Sequence, residues 1–202
     1  MSLIQVSNLT FAYNGSYETI FDHVSFQIDT DWKLGFTGRN GRGKTTFLNL
    51  LQGKYDYQGS ISASVEFSYF PYTVADKSRL AVDVVEEIHP EYRCWRLARE
   101  GDIDESLFFA ILSKLDVPRA QLERDLSSLS AGQKKKVLLA RSICQKAHLH
   151  IWDEPLNNID VLSRVQIEEL LLSFRPTILF VEHDKTFCQH IATKTIILGG
   201  EL

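Results

Sequence analysis

Cysteine is scarce in this chain: Cys94, Cys144 and Cys188 are its three, widely separated and odd in number. That count argues against a disulfide framework or a cysteine metal cluster and for reduced core residues. Long hydrophobic runs are missing as well. No stretch reaches the roughly 18 apolar residues of a membrane-spanning helix, so no segment is expected to cross a bilayer. Residues 1–5 lack the basic region and apolar core of a secretory signal, and a soluble, cytoplasmic chain is expected. Positive charge is not in surplus: 22 Lys and Arg face 26 Asp and Glu, a net charge of −4. Composition therefore makes no demand for a nucleic-acid partner. The one dense basic run, Lys134-Lys135-Lys136, reads as the solvated face of a helix. Internal repeats and low-complexity segments are absent.

What is present is apolar material for one sizeable core: 44% of the 202 residues are hydrophobic. Residues 3–13 and 24–28 alternate apolar and polar side chains, as two strands of an antiparallel edge sheet do. Residues 33–37 read as a strand and 45–51 as a helix. Residues 60–62 and 65–70 read as a short strand pair, ended by Pro71. From 81 to 117 the period turns helical, with Val82, Val85 and Ile88 on one face. Leu107, Ala110, Ile111 and Leu115 share another, behind a start signal at Asp102 and Glu105. Helices at 131–146, 161–173 and 184–192 then alternate with strands at 148–152, 177–181 and 194–198. The expectation is an α/β fold: a mostly parallel sheet flanked by helices, an antiparallel β edge sub-domain, and a helical sub-domain at about 75–130. Residues 199–202 follow directly on an expected strand, so a fragment of a longer protein is expected.

The chemistry starts at Gly38, Arg39, Asn40, Gly41, Arg42, Gly43, Lys44, Thr45 and Thr46. Between a strand and a helix, G-x-x-x-x-G-K-[ST] curls its backbone N–H groups around nucleotide phosphates. Lys44 would reach the β/γ-phosphates and Thr45 would ligate Mg²⁺. A second apolar strand ends in Asp153 and Glu154, placed to hold Mg²⁺ and to deprotonate an attacking water. His148 and His150 lie two apart with no third ligand nearby, as ordinary sheet histidines do. A third strand ends in Glu182-His183-Asp184, where His183 could contact the γ-phosphate or position water. Ser130 and Gln133 fit a capping box at a helix start. The same helix start, with Ala131 and Gly132, equally fits phosphate binding.

Together these motifs, in this order, resemble an ATP-binding cassette (ABC) ATPase over nearly the whole chain. The resemblance implies an ABC-type P-loop NTPase cassette that takes ATP and Mg²⁺, with Tyr13 stacking on adenine. It implies that Ser130, Ala131, Gly132 and Gln133 serve ATP held by a second cassette, and that Asn157, Asn158 and Asp160 form a D-loop across that interface. Glu154 and His183 become the catalytic pair, and Thr45 and Asp153 the Mg²⁺ ligands. The wording W-D-E-P-L-N-N-I-D-V, F-V-E-H-D and Y-F-P resembles the ABC-F branch, and G-R-N-G-R-G-K-T-T with L-S-A-G-Q-K-K-K-V-L-L-A resembles its antibiotic-resistance, ribosomal-protection members. In those proteins two cassettes share one polypeptide, and this chain is similar to the first; the ribosome is the implied partner. The alternatives are the cytoplasmic ATP-binding subunit of a transporter and an ATP-binding interaction module with negligible turnover. Two departures stand out: Ala131 replaces a commoner glycine, and Tyr72 falls where such ATPases generally carry a glutamine.

Overall fold

The computed structural model describes residues 2–29, 32–37, 41, 43–63, 65–86, 105–145 and 147–197. Among them the strands form two sheets. The first is antiparallel, in the order β2-β1-β4, with β1 Ser2–Ala12, β2 Thr19–Asp29 and β4 Gln58–Ala63. The second is parallel, in the order β5-β6-β7-β3-β8. Its strands are β3 Lys33–Thr37, β5 Phe67–Phe70, β6 Leu149–Asp153, β7 Ile178–Val181 and β8 Lys194–Ile197. The helices are α1 Lys44–Leu51, α2 Ala81–Glu86, α3 Glu105–Lys114, α4 Arg119–Leu122, α5 Ala131–Cys144, α6 Val161–Phe174 and α7 Lys185–Ile191. None of them is long and apolar enough to cross a membrane.

The parallel sheet is covered on both faces, and its alternation shows how. Leu149 and Ile151 of β6, with Leu179 and Val181 of β7, join a cluster with α1 and the antiparallel sheet. Trp152 of β6, with Ile178 and Phe180 of β7, points the other way, into a cluster built from α3, α5, α6 and α7. Successive strand side chains face opposite sides, so an almost continuously apolar run serves two cores at once. α1 lies between the sheets, its Phe47 and Leu48 fully buried. The cleft that matters lies at the carboxyl ends of neighbouring β6, β7 and β3, where open parallel sheets gather ligands.

Several expectations are corrected. The strands expected to pair at 60–62 and 65–70 belong to different sheets: β4 pairs antiparallel with β1, and β5 parallel with β6. Alternation identifies a strand but not its partner, which is chosen by the apolar faces that need covering. Ala110 is exposed, whereas Ile111 and Leu115 are buried, so the inward face of α3 is narrower than its spacing predicts. Leu107 lies in α3, but its side chain is outside the described residues, as are those of Val82 and Val85 in α2; Ile88 and Asp102 lie wholly outside. Cys144 and Cys188 are both buried, and burial pushes their thiols up to about 12 and about 11. Cys94 lies outside the described residues.

The lysine run is not a solvated face. Lys134 donates to the Ser127 carbonyl at 3.0 Å and Lys136 to Gln166 Oε1 at 2.9 Å. Lys135 donates to the carbonyls of Glu154 at 2.9 Å and Asn157 at 2.7 Å. Three cations in a row read as solvent-facing only while the surrounding chain is ignored; here the turns beside α5 supply carbonyl acceptors. His148 precedes β6 and accepts from the Glu66 N–H at 3.1 Å. His150 is buried, and desolvation pulls its imidazole down to about 4.

Candidate nucleotide site

β3 delivers the chain into the glycine loop, and α1 begins at once behind it. Gly43 is the N-cap of α1 with φ 87° and itself offers that helix end no side-chain cap. A Cβ at Gly43 would lie 2.5 Å from Ile20 Cγ2 and 3.0 Å from Phe21 Cζ. Glycine is thus required here twice over, by backbone angle and by space. The uncapped helix start leaves its first N–H groups and its partial positive charge facing the cleft. That cleft, of about 340 Å³, is lined by Tyr13, Ile20, Gly41, Gly43, Lys44, Thr45, Thr46, Glu154 and His183. Gly38, Arg39, Asn40 and Arg42 lie outside the described residues.

Lys44 is only 6% exposed. Burial lowers the pKa of its ammonium, while Glu154 and Asp153 oppose that loss of charge. The Thr45 hydroxyl donates to Asp153 Oδ2 at 3.1 Å. Tyr69, at the end of β5, brings its hydroxyl to 3.5 Å from the same oxygen. Burial raises the Asp153 pKa, against the Thr45 hydrogen bond that lowers it. One carboxylate and one hydroxyl at hydrogen-bond distance make a sparse, hard-oxygen set. It suits Mg²⁺, which takes one or two protein oxygens and fills its shell with phosphate oxygens and water. Among the described residues no group of three or more His, Cys, Asp or Glu could hold a metal ion.

Glu154 Oε1 lies 3.7 Å from His183 Nε2, each side chain about 40% exposed toward the cleft. Glu154 itself has φ 51°, in the left-handed region. Its other oxygen, Oε2, accepts from Asn157 Nδ2. Tyr13 closes the opposite wall. Its hydroxyl is 2.8 Å from Thr46 Oγ1, and its ring stands edge-on to Phe11 and Tyr55 at 5.0 and 5.6 Å. The ring is 39% exposed, so part of it stays free to stack.

The remaining expected residues do not line the cleft. Residues 130–133 are not part of the cleft's lining. They begin α5 as a complete capping box: Gln133 N–H donates to Ser130 Oγ at 3.2 Å, and Ser130 N–H to Gln133 Oε1 at 3.0 Å. Ser130 and Ala131 are exposed. Asn157 and Asn158 are exposed as well, but Asp160 caps α6, accepting from Ser163 N–H at 2.9 Å and Ser163 Oγ at 2.7 Å. Tyr72 packs against the helical-side core, its ring centroid 3.6 Å from the Arg141 guanidinium carbon, and does not line the cleft.

Three residues around the site escaped the sequence reading. Tyr69 gave no signal beyond its strand. Glu182, only 4% exposed, accepts from the backbone N–H of Leu156, His183 and Asp184 at 3.1, 2.6 and 3.3 Å. A carboxylate directly after a four-residue buried strand was the available hint. Lys135 had a hint too: buried Leu139 and Ser142, four and seven positions on, mark its side of α5 as inward.

Fold and cleft together define a class: a phosphate-loop nucleotide-binding cassette, with its loop, its acidic strand end and its histidine strand end brought to one opening. The ABC transporter family model matches residues 21–157. That is more than half of the chain, which therefore belongs to the ABC transporter family of ATP-binding cassettes, a family of ATPases. Among curated relatives, it is 28% identical over 199 residues to the ribosome protection protein VmlR of Bacillus subtilis, covering 98% of this chain and 34% of that protein. It is 27% identical over 199 residues to ABC transporter F family member 2 of Arabidopsis thaliana, covering 96% of this chain and 28% of that one. The chain thus spans about a third of the length of these relatives. The fold is shared with an archaeal ribosome recycling factor, aABCE1, solved with the ribosomal stalk protein aP1. The TM-score is 0.79 at 23% identity, over 100% of this chain and 38% of that one.

Proposed function

We propose that this chain is one cassette of an ABC-F protein, binding and hydrolysing MgATP by pairing with a second cassette. The observation that carries the reading is a division of labour. The cleft gathers Lys44, Thr45, Glu154 and His183, while residues 130–133 start another helix outside it, with Ser130 and Ala131 exposed. Each cassette would then hold half of two sites. Val161 and Leu162, 77% and 65% exposed at the start of α6 behind Asp160, add apolar surface to the face that would meet the partner.

In this reading Tyr13 stacks on adenine, the N–H groups at the start of α1 and Lys44 hold the phosphates, and Thr45 and Asp153 hold Mg²⁺. Magnesium, when bound, neutralises charge that builds on the transferring phosphoryl group. Glu154 takes the proton of the attacking water, and His183 orients that carboxylate and the water between them. The ribosome as partner is supported by kinship with the Bacillus subtilis protection protein and by the W-D-E-P-L-N-N-I-D-V wording. A role in antibiotic resistance belongs to the same proposal.

A lone cassette lacks the mM-range effective concentration that a short tether gives its partner. The isolated chain is expected to be mostly monomeric and to turn ATP over weakly, with specific activity rising with protein concentration. Glu154→Gln is expected to slow hydrolysis by about 10²–10⁴-fold and to lengthen the life of ATP-dependent dimers seen by size-exclusion chromatography. Brisk turnover independent of protein concentration contradicts the shared-site reading. Binding without turnover at any concentration, unaltered by Glu154→Gln, leaves an interaction module instead.

A further inference from the structure

The turn carrying Glu154 is held from both chemical sides. Its Leu156 N–H, with the N–H groups of His183 and Asp184, goes to the buried Glu182 carboxylate. Its carbonyls, at Glu154 and Asn157, go to one ammonium, Lys135 Nζ, at 2.9 and 2.7 Å. Lys135 also sits 5.8 Å over the Phe70 ring. Burial works against its charge, while Glu182 and Glu154 support it. Within this turn Glu154 and Asn158 adopt φ of 51° and 60°. Left-handed backbone at a non-glycine residue persists only where its surroundings over-determine it. Two charge-assisted hydrogen bonds to the carbonyls on either side of the turn do that.

We propose that Lys135 is a positioning residue for hydrolysis. It holds the carbonyls of Glu154 and Asn157, and so aims the Glu154 carboxylate at the cleft. Because Lys135 lies on α5, one and a half turns past Ser130, the catalytic turn is fastened to the helix that starts with residues 130–133. A side chain at 135 without N–H donors, such as methionine, cannot bridge two carbonyls, and a catalytic group displaced by about 1 Å can lose 10²-fold in rate. This inference rests on the reading of Glu154 as the base.

The test uses this chain with protein in excess of ATP, measuring single-turnover hydrolysis, affinity for a fluorescent ATP analogue, and melting temperature. Lys135→Met is expected to slow hydrolysis by about 10–10²-fold, with analogue affinity held within about twofold because Lys44 and the α1 N–H groups are untouched. Lys135→Arg, which keeps charge and several donors, is expected to recover most of the rate. Should Lys135→Met not fold, Lys135→Leu against Lys135→Arg makes the same comparison. An unchanged rate in Lys135→Met or Lys135→Leu overturns the proposal. So does a fall in rate and affinity together that Lys135→Arg does not repair, which marks a general structural loss. Glu154→Gln run alongside separates the two failures: if it too leaves the rate unchanged, the catalytic reading fails rather than the role of Lys135.

Discussion

Two helix starts in this molecule carry nearly opposite designs. α1 begins at Gly43, in the left-handed region, with no side-chain cap and with its N–H groups turned into the cleft. α5 begins at Ser130 with a complete capping box and stands exposed at the surface. A helix start has four N–H groups without intrahelical partners. At α1 they are left for a ligand, and stability there must come from the packing of Phe47 and Leu48. At α5 Ser130 and Gln133 stabilise the end while no ligand is present. The lesson is that two glycine-bearing helix starts share phosphate-binding potential, but only one is open within a single chain. The other is self-satisfied, with Ser130 and Gln133 holding its first N–H groups.

On ATP affinity, the largest effect that would sharpen this contrast is at Lys44. Lys44→Met removes a charged donor worth about 1.5–3 kcal/mol, so ATP affinity should fall about 10–10²-fold by fluorescence titration. If affinity holds, the open helix start alone is the phosphate site. Next comes acid stability, because His150 lies on β6, whose end forms part of the cleft. Its pKa is lowered from 6.5 to about 4 in the folded chain, so its contribution is present above 6.5 and is lost as pH falls toward 4. The loss should be on the order of 3 kcal/mol. Melting temperature followed from pH 7 to 4 should drop less steeply in His150→Gln than in the unaltered chain; parallel curves would assign the acid sensitivity elsewhere.

Gly43→Ala places a Cβ 2.5 Å from Ile20 on left-handed backbone. It should cost about 1–3 kcal/mol of stability and weaken ATP binding as well. Ser130→Ala is the mirror experiment. Loss of a cap costs about 1 kcal/mol, and melting should register it while ATP affinity in the chain's own cleft stays unchanged. A parallel loss of affinity in Ser130→Ala would erase the distinction between the two starts.

How far the sequence could be read follows the range of the interactions. The strand–loop–helix order around Lys44, the carboxylates ending β6 and the capping box at Ser130 are local patterns, and each is found where its residues place it. The partners of β4 and β5 were not legible, because both show the same alternation and differ only in which apolar face they cover. Lys135 looked like surface charge, since the carbonyls of Glu154 and Asn157 that hold it lie 19 and 22 positions away. Tyr69 and Tyr72 sit three apart, yet one reaches Asp153 and the other stacks on Arg141. Nothing in their local spacing separates those roles.

By itself the sequence determined the chemical vocabulary of this protein: a phosphate-cradling loop, an acidic strand end, a histidine strand end and a signature-like helix start. Those depend on backbone curvature and side-chain type over a few residues, which contiguous sequence encodes. Only the tertiary structure decided which of them share a cleft, which helix start stays capped, and that Lys135 and Glu182 brace the turn that carries Glu154. Such pairings arise from burying distant apolar faces and satisfying distant backbone groups, and they exist only once the chain has closed on itself.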